Sequence, residues 1–176
     1  MSHKLDPLLR PQSIAIVGAS QRVESVGNMV LRNLLLGKFP GNLYAVNPRY
    51  TELEGIACFA SLAELPEVVE HVIFAVSDER IEDLLDSAIT HGAKASTIFS
   101  SLVLANDSST PLKERIHRKV SEAGMLLCGA NGMGLFNFTD GIWIGGFDTR
   151  SHTKWGNVSL ISQSGAGMSG ILDVDK

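Results

Sequence analysis

Residues 11–20 read PQSIAIVGAS, and this stretch decides the fold of the chain. Its centre, SIAIV at 13–17, is a short apolar run with β-branched residues, which predicts a strand buried in a sheet. Gly18 ends the run. Residues 27–36 follow with apolar side chains at helical spacing, and Gly37 is a candidate helix cap. A strand that leads through a turn of small residues into a helix is the opening of a βαβ unit.

The same alternation continues along the chain. We predict further strands over 42–46, 71–76, 95–99 and 125–128, and helices over 62–65, from Ser77 to about residue 91, and over 110–123. Five strands that alternate with about four helices predict an α/β fold, in which helices cover both faces of a doubly wound parallel sheet.

Composition is that of an ordinary globular protein. The 176 residues are 44% hydrophobic and 19% charged, and the net charge of −4 argues against a nucleic-acid binder. No apolar run reaches the roughly 18 residues of a membrane helix, and the first residues lack the apolar centre of a signal peptide. We therefore expect a cytoplasmic protein that contacts no membrane, with Cys58 and Cys128 as buried free thiols.

The ligand of such a sheet binds outside the carboxyl ends of the strands, where the strand order reverses. The candidate binding residues are therefore those that directly follow each predicted strand: Gly18, Ala19, Ser20, Asn47, Pro48, Arg49, Ser77, Ser100, Ser101 and residues 129–131.

The turn after the first strand has the chemistry of a phosphate site. Gly18 permits a tight turn, and small residues at Ala19 and Ser20 let backbone amides approach a phosphate. A helix that starts near Gly27 adds the positive end of its dipole. Six residues separate Ser20 from Gly27, so the spacing differs from that of a dinucleotide fingerprint, and a turn without a ligand is the alternative.

The segment after the second strand, AVNPRY at 45–50, has no carboxylate before Glu52. NAD sites place an acidic residue here for the ribose diol. An amide at Asn47 and a guanidinium at Arg49 suit an extra ribose phosphate instead, as in CoA or NADP. The alternative is an Asn-Pro turn with a solvated arginine.

Two later motifs are also rich in small residues. CGANGMG at 128–134 follows the fifth strand and contains Asn131, which can both donate and accept hydrogen bonds. A strand predicted over 158–162 leads into QSGAG at 163–167, which has the form of a phosphate-receiving helix start. A structural turn is the alternative for the first of these motifs. We expect residues 141–176 to be a linker and the start of a second α/β unit.

Together the motifs PxSIAIVGAS, AVNP, GxNxxG and LISQSGA resemble the NDP-forming acyl-CoA synthetases, relatives of the succinyl-CoA synthetase α-subunit. The similarity extends from about Leu5 to Ala166. It implies a Rossmann-like CoA-binding domain over 5–140 and the start of a flavodoxin-like second domain within 141–176.

The resemblance also assigns roles to residues, with coenzyme A as the cofactor. The implied CoA-binding residues are Gly18, Ala19, Ser20, Gly27, Asn47, Pro48, Arg49, Tyr50, Val76, Ser77, Phe99, Ser100, Ser101 and Asn131. Ser164, Gly165 and Ala166 match a helix start that faces a phosphorylated histidine in that family. This chain departs from the family at 129–134, where Gly-Pro-Asn-Cys-x-Gly is frequent, and at Ser100 and Ser101.

Members of that family activate an acid as an acyl phosphate. CoA then displaces the phosphate, and a histidine relays it to a nucleoside diphosphate. None of the five histidines here has the matching context: His71 opens a strand and His91 and His117 lie on predicted helices, so we expect surface or half-buried side chains, and His152 lies in a loop. We expect the phosphohistidine and the ATP-grasp portion beyond residue 176, no catalytic residue or metal site in this chain, and the rest of the synthetase as its partner.

Two alternatives stay open. The first is a stand-alone or regulatory CoA-binding module, as in acetyltransferase fusions. The second is an NAD(P)-linked oxidoreductase or redox sensor, against which the missing carboxylate and the glycine spacing argue.

Overall fold

The computed structural model describes residues 3–147 and 156–172, so that His152 lies outside the described residues. The strands are β1 Ser13–Val17, β2 Asn42–Val46, β3 Glu52–Leu53, β4 Ile56–Phe59, β5 His71–Phe74, β6 Ala95–Ile98, β7 Leu126–Cys128, β8 Gly134–Asn137 and β9 Ile142–Gly145. The helices are α1 Asp6–Leu9, α2 Val26–Leu36, α3 Asp78–His91, α4 Leu112–Glu122 and α5 Gly165–Leu172, with a 3-10 helix at Leu62–Glu64.

Seven of these strands form one sheet in the order β3-β4-β2-β1-β5-β6-β7. Every neighbouring pair is parallel except β3 with β4. The chain runs outward from β1 to β2 and then returns to the other side of β1 for β5, so the strand order reverses at β1. This confirms the predicted doubly wound, Rossmann-like α/β fold.

Both faces of β1 are buried, and its side chains alternate between two cores. Ile14 and Ile16 point into the core that contains the apolar face of α2. Ala15 and Val17 point into the core beneath α3 and α4. A strand covered on both faces reads as a continuous apolar run, which is why the SIAIV pattern predicted it correctly.

The predicted boundaries hold to within two residues for the five strands of the βα units. The first two strands match, while the strand predicted over 71–76 ends at Phe74. α3 ends where Gly92 adopts a left-handed φ of +94°, as expected of a helix cap. α4 is shorter than predicted, because Pro111 precedes the helix as its N-cap.

The hairpin of β3 and β4 extends the sheet beyond β2 and was not predicted. Its turn contains Glu54 and Gly55 with φ of +51° and +81°. Two successive positive φ angles define a type I′ turn, which usually carries Asn-Gly or Asp-Gly. Because Glu54 occupies the first position of the turn, the sequence lacks the Asn-Gly or Asp-Gly pair that would have predicted the hairpin.

A second hairpin, β8 with β9, crosses the domain boundary predicted between residues 140 and 141. Ile142 and Ile144 are buried in the same core as α2. The buried side chain of Asn33 on α2 donates from Nδ2 to the carbonyls of Gly145, at 3.1 Å, and Phe147, at 2.7 Å. We therefore propose that the first domain extends to residue 147.

The strand predicted over 158–162 is wrong. These residues form no ladder with any segment of the described chain, and Val158 and Ile161 are almost fully exposed. A strand forms only where a neighbour accepts its backbone hydrogen bonds, and no described strand lies beside this segment. The helix expected next does form, as α5.

The expectation of a surface or half-buried His71 is also wrong. His71 begins β5, a central strand between β1 and β6, and none of its surface is exposed. Its Nε2 lies 2.9 Å from the Thr97 hydroxyl, and its Nδ1 has no hydrogen-bond partner. Burial lowers the pKa of His71 to about 3.

None of the helices described is both long and apolar enough to cross a membrane.

We expect His71 to make the protein less stable in mild acid. Its folded pKa of about 3 lies below the unfolded value of 6.5, so the neutral ring contributes stability above pH 6.5 that is lost as the pH falls toward 3. One proton changes the free energy of unfolding by about 1.4 kcal/mol per pH unit. Urea unfolding at pH 7, 6 and 5 should show a steeper loss for the wild type than for His71→Gln. The exposed His117→Gln should follow the wild type, and parallel curves for all three proteins would contradict the assignment.

The second hairpin predicts a large effect at Ile144. Replacing this fully buried side chain by alanine leaves a cavity against α2, and we expect the free energy of unfolding to fall by about 2–4 kcal/mol. Val103→Ala, at a side chain that is 70% exposed, is the control and should cost little. An Ile144→Ala variant as stable as the control would show that the hairpin does not belong to the first domain.

Candidate functional site

A cavity of about 1310 Å³ opens at the carboxyl ends of β1, β2 and β5, where the strand order reverses. It extends from there between the 3-10 helix and α3. Seven of the predicted binding residues line it: Gly18, Ser20, Asn47, Pro48, Arg49, Tyr50 and Val76.

Gly18 forms the floor of the cavity. Its N–H donates to the Val46 carbonyl at the end of β2, at 2.9 Å, and its φ is +91°. A Cβ at this position would overlap the Ala75 carbonyl just after β5. Only a glycine permits the turn to lie this close to both neighbouring strands.

The loop from Gly18 leads to the N-terminus of α2. Ser25 caps this helix, since its hydroxyl accepts from the Asn28 N–H at 3.3 Å and donates to the Arg22 carbonyl at 2.7 Å. Gly27 lies directly beneath Gly18, and a Cβ there would overlap the Gly18 carbonyl. Gly27 therefore allows the close packing of helix and turn and does not line the cavity. The positive end of α2 is directed at the turn, as a phosphate site requires.

Asn47 joins two loops of the site. Its Nδ2 donates to the Ala19 carbonyl at 2.8 Å, and its Oδ1 accepts from the Arg49 N–H at 3.0 Å. The amide thus fixes the loop after β2 to the loop after β1 and orients the backbone of Arg49. Asn47 was expected to donate to a ligand, whereas these hydrogen bonds make it a bridge within the protein.

Three arginines line the cavity, each from the loop or helix after one of three adjacent strands: Arg22 after β1, Arg49 after β2 and Arg80 after β5. The ion pairs among residues 3–147 and 156–172 involve only Arg10, Arg115 and Lys119 as cations. Asp86 is the acidic residue of the lining, and Lys119 Nζ neutralises it at 2.6 Å. The cavity therefore has a net positive charge and suits an anionic ligand.

Arg22 and Arg80 were missed by the sequence analysis. Arg22 lies in the segment between Ser20 and Gly27, which was treated as an insert. Arg80 lies six residues beyond the end of β5, past the positions considered. The available signal was helical spacing, because Arg80, Leu84, Ser87 and His91 share one face of α3.

The other predicted residues do not line the cavity. Ala19 is fully buried in the core beneath α2. Ser77 is the exposed N-cap of α3. Phe99, Ser100, Ser101 and Asn131 lie in the loops after β6 and β7, at the far half of the same sheet edge.

Asp78, the first residue of α3, holds the loop after β6 in place. Its carboxylate accepts from the N–H groups of Leu102, at 2.9 Å, and Val103, at 3.1 Å, and from the Ser101 hydroxyl, at 3.2 Å. Partial burial alone would raise the pKa of Asp78, but these hydrogen bonds outweigh it and hold the pKa below its usual value. The hydroxyl of Ser101 is therefore used to shape the loop.

The loop after β7 is hydrogen-bonded to the loop after β6. The Asn131 N–H donates to the Ser100 carbonyl at 2.8 Å, and Asn131 has a φ of +56°. Its side chain is left exposed at the sheet edge.

The helix start predicted at residues 164–166 is present. Ser164 accepts from the Gly167 N–H at 3.1 Å through its hydroxyl, and α5 begins at Gly165. Gly165 lies against the side chain of Met133, so this start is near the glycine-rich segment after β7. Ala166 lies in the first turn of α5.

The two cysteines are free thiols, with Cys58 buried and Cys128 half-buried. Burial raises the pKa of both thiols and so disfavours the thiolate form. No group of three or more His, Cys, Asp or Glu within the described part of the chain could hold a metal ion.

Comparison with known proteins gives similarity to acyl-CoA synthetases. Trans-feruloyl-CoA synthase from an unknown prokaryotic organism is 30% identical over 170 residues, which are 94% of this chain and 24% of that protein. The α-subunit of ADP-forming acetate–CoA ligase II from Pyrococcus furiosus is 30% identical over 169 residues, 96% of this chain and 36% of the subunit. The chain thus spans about a quarter to a third of the length of these relatives.

A solved structure agrees. The dinucleotide-forming acetyl-coenzyme A synthetase 1 of Ca. Korarchaeum cryptofilum, in complex with phosphate and ADP, superposes with a TM-score of 0.86 at 28% identity, over 97% of this chain and 36% of that chain. These similarities confirm the resemblance to NDP-forming acyl-CoA synthetases and do not favour the regulatory or oxidoreductase alternatives. The family profile described as "CoA binding domain" matches residues 12–137, and the chain therefore belongs to the CoA-binding domain family.

Proposed function

We propose that this chain binds coenzyme A in the cavity at the ends of β1, β2 and β5, as the CoA-binding part of an NDP-forming acid–CoA ligase. The observation that carries the proposal is the charge of the cavity. Three unpaired arginines surround a glycine turn at a helix N-terminus, and no carboxylate follows β2 before Glu52. CoA brings a diphosphate and a ribose phosphate, so its charge matches this lining.

Different parts of the cavity suit different groups of the ligand. The Gly18 turn and the N-terminus of α2 suit the diphosphate, because the positive end of the helix dipole stabilises phosphate charge there. Arg49 takes the place of the acidic residue that binds a ribose diol in NAD sites, and it suits the ribose phosphate. The pantetheine arm then runs along the sheet edge toward Phe99, Ser100, Ser101 and Asn131. Its thiol approaches the start of α5, where Ser164, Gly165 and Ala166 are assigned to the phosphate-facing helix of the complete enzyme.

In the complete ligase, CoA is a substrate that leaves as a thioester. The acyl phosphate, the phosphohistidine relay and the nucleotide site are assigned to the rest of the synthetase, either a second and an ATP-grasp domain or a separate subunit. His91 is the histidine of the described cavity lining, and its Nε2 accepts from the Val69 N–H at 3.2 Å. We assign the cytoplasm as the compartment because the cysteines are free thiols.

We expect the chain to bind CoA and to discriminate against NAD. Calorimetric titrations with CoA, dephospho-CoA and NAD should give the tightest binding for CoA, weaker binding for dephospho-CoA and the weakest for NAD. Arg49→Gln should weaken CoA binding by about tenfold, the value of one charge-assisted hydrogen bond to phosphate. Binding of NAD in preference to CoA would overturn the proposal.

The Gly18 turn gives a second test. Gly18→Ala forces a Cβ into the Ala75 carbonyl, so the turn must shift, and we expect CoA affinity to fall by more than about tenfold. Gly55→Ala is the matched control: Gly55 also has a positive φ, of +81°, but nothing lies within 4 Å of a Cβ there. Both variants carry backbone strain of about 1 kcal/mol in a melting experiment. Equal CoA affinity in the two variants would remove the Gly18 turn from the site.

A further inference from the structure

The side of the cavity formed by α3 contains a cation, Arg80, to which the proposed function assigns no particular group of the ligand. Arg80 is at the third position of this helix, followed on the same face by Leu84, Ser87 and His91. The neighbouring face, about 100° around the helix axis, carries Ile81, Leu85 and Ala88 and packs on the sheet. Arg80 therefore lies beside the buried face, on the side of α3 that lines the cavity.

Arg80 is available to a ligand. Its side chain is exposed, and no carboxylate of the described residues lies within ion-pair distance of it. Two of the nearby acids have other partners, since Asp78 accepts from the loop after β6 and Glu82 pairs with Arg115 at 2.8 Å. Binding of an anion by Arg80 therefore breaks no existing ion pair.

The sheet order places Arg80 opposite Arg49. β2 and β5 flank β1, so the segments after them border the Gly18 turn from its two sides. Gly18 is held to both, by the hydrogen bond to the Val46 carbonyl and by its close approach to Ala75. The diphosphate is already assigned to this central turn, where Arg22 and the N-terminus of α2 lie. Arg49 and Arg80, which flank the turn, are then available to bind a second anionic group of the ligand.

We propose that Arg80 and Arg49 together bind the phosphomonoester on the ligand's ribose. This contact makes Arg80 a residue that determines specificity for CoA over dephospho-CoA. The inference rests on the proposed function. A dianionic phosphomonoester accepts hydrogen bonds on three oxygens, and a guanidinium donates two of them in parallel, so two arginines from opposite sides can hold it without a third group.

The test compares the wild type with Arg80→Gln, Arg80→Lys and Arg118→Gln, each titrated with CoA and with dephospho-CoA. Arg118 is an exposed arginine on α4, outside the cavity, and serves as the matched control. We expect Arg80→Gln to lower the affinity for CoA by about tenfold and to leave the affinity for dephospho-CoA unchanged. The ratio of the two affinities should therefore fall. Arg80→Lys should retain part of the preference, because it keeps the charge and loses the paired donors. Arg118→Gln should retain all of it.

Two results overturn the inference while leaving the proposed function intact. If Arg80→Gln lowers the affinities for CoA and dephospho-CoA equally, Arg80 binds the diphosphate, which both ligands contain. If the preference for CoA is unchanged, Arg80 binds neither phosphate. A wild type that binds no CoA refutes the proposed function itself, so the two failures are distinguished by the wild-type titration. Melting temperatures of all four proteins show whether a loss of binding follows from a loss of fold.

Discussion

The pairing of β1 with a parallel strand on each side is the constraint on which the rest of the structure depends. At its carboxyl end, Gly18 donates to the Val46 carbonyl of β2, and Ala75, after β5, donates to the Val17 carbonyl of β1. These two hydrogen bonds bring three strand ends to one place and leave room there for backbone only. This pairing fixes the positions of the Gly18 turn, the start of α2 and the loops after β2 and β5. It therefore also fixes the cavity that lies between them.

The loops around the cavity are held by side chains that do not face a ligand. Asn47 joins the loops after β1 and β2, while Asp78 gathers the loop after β6. Asn131 and Ser100 then connect the loops after β6 and β7 through their backbones. In consequence the loops after β1 and β2 are tied to each other, and the loops after β6 and β7 are tied to each other and to the start of α3.

Sequence patterns predicted the parts of this structure that depend on local chemistry. Buried parallel strands read as unbroken apolar runs, and the turn at Gly18 needs a residue without a Cβ. Other features depend on partners that are distant in sequence. His71 is buried because β5 is central, and residues 158–162 lack a strand partner, so neither outcome could be read from the local pattern. Among the candidate site residues, Asn47 and Ser101 were recognised as polar groups at strand ends. That their hydrogen bonds go to the protein follows only from the fold. Arg80 was missed because it lies in the first turn of α3, six residues after the end of β5.

Asn47 and Arg49 are two residues apart, yet the first is committed to the scaffold and the second to the cavity. This separation has an evolutionary meaning. Because Arg49 makes no side-chain contact that the fold requires, it can be exchanged during divergence at little cost in stability. A change at Asn47 would instead detach one loop from another and disturb every ligand at once. A substitution at Arg49 can thus change the charge of the cavity while the bridge made by Asn47 stays in place.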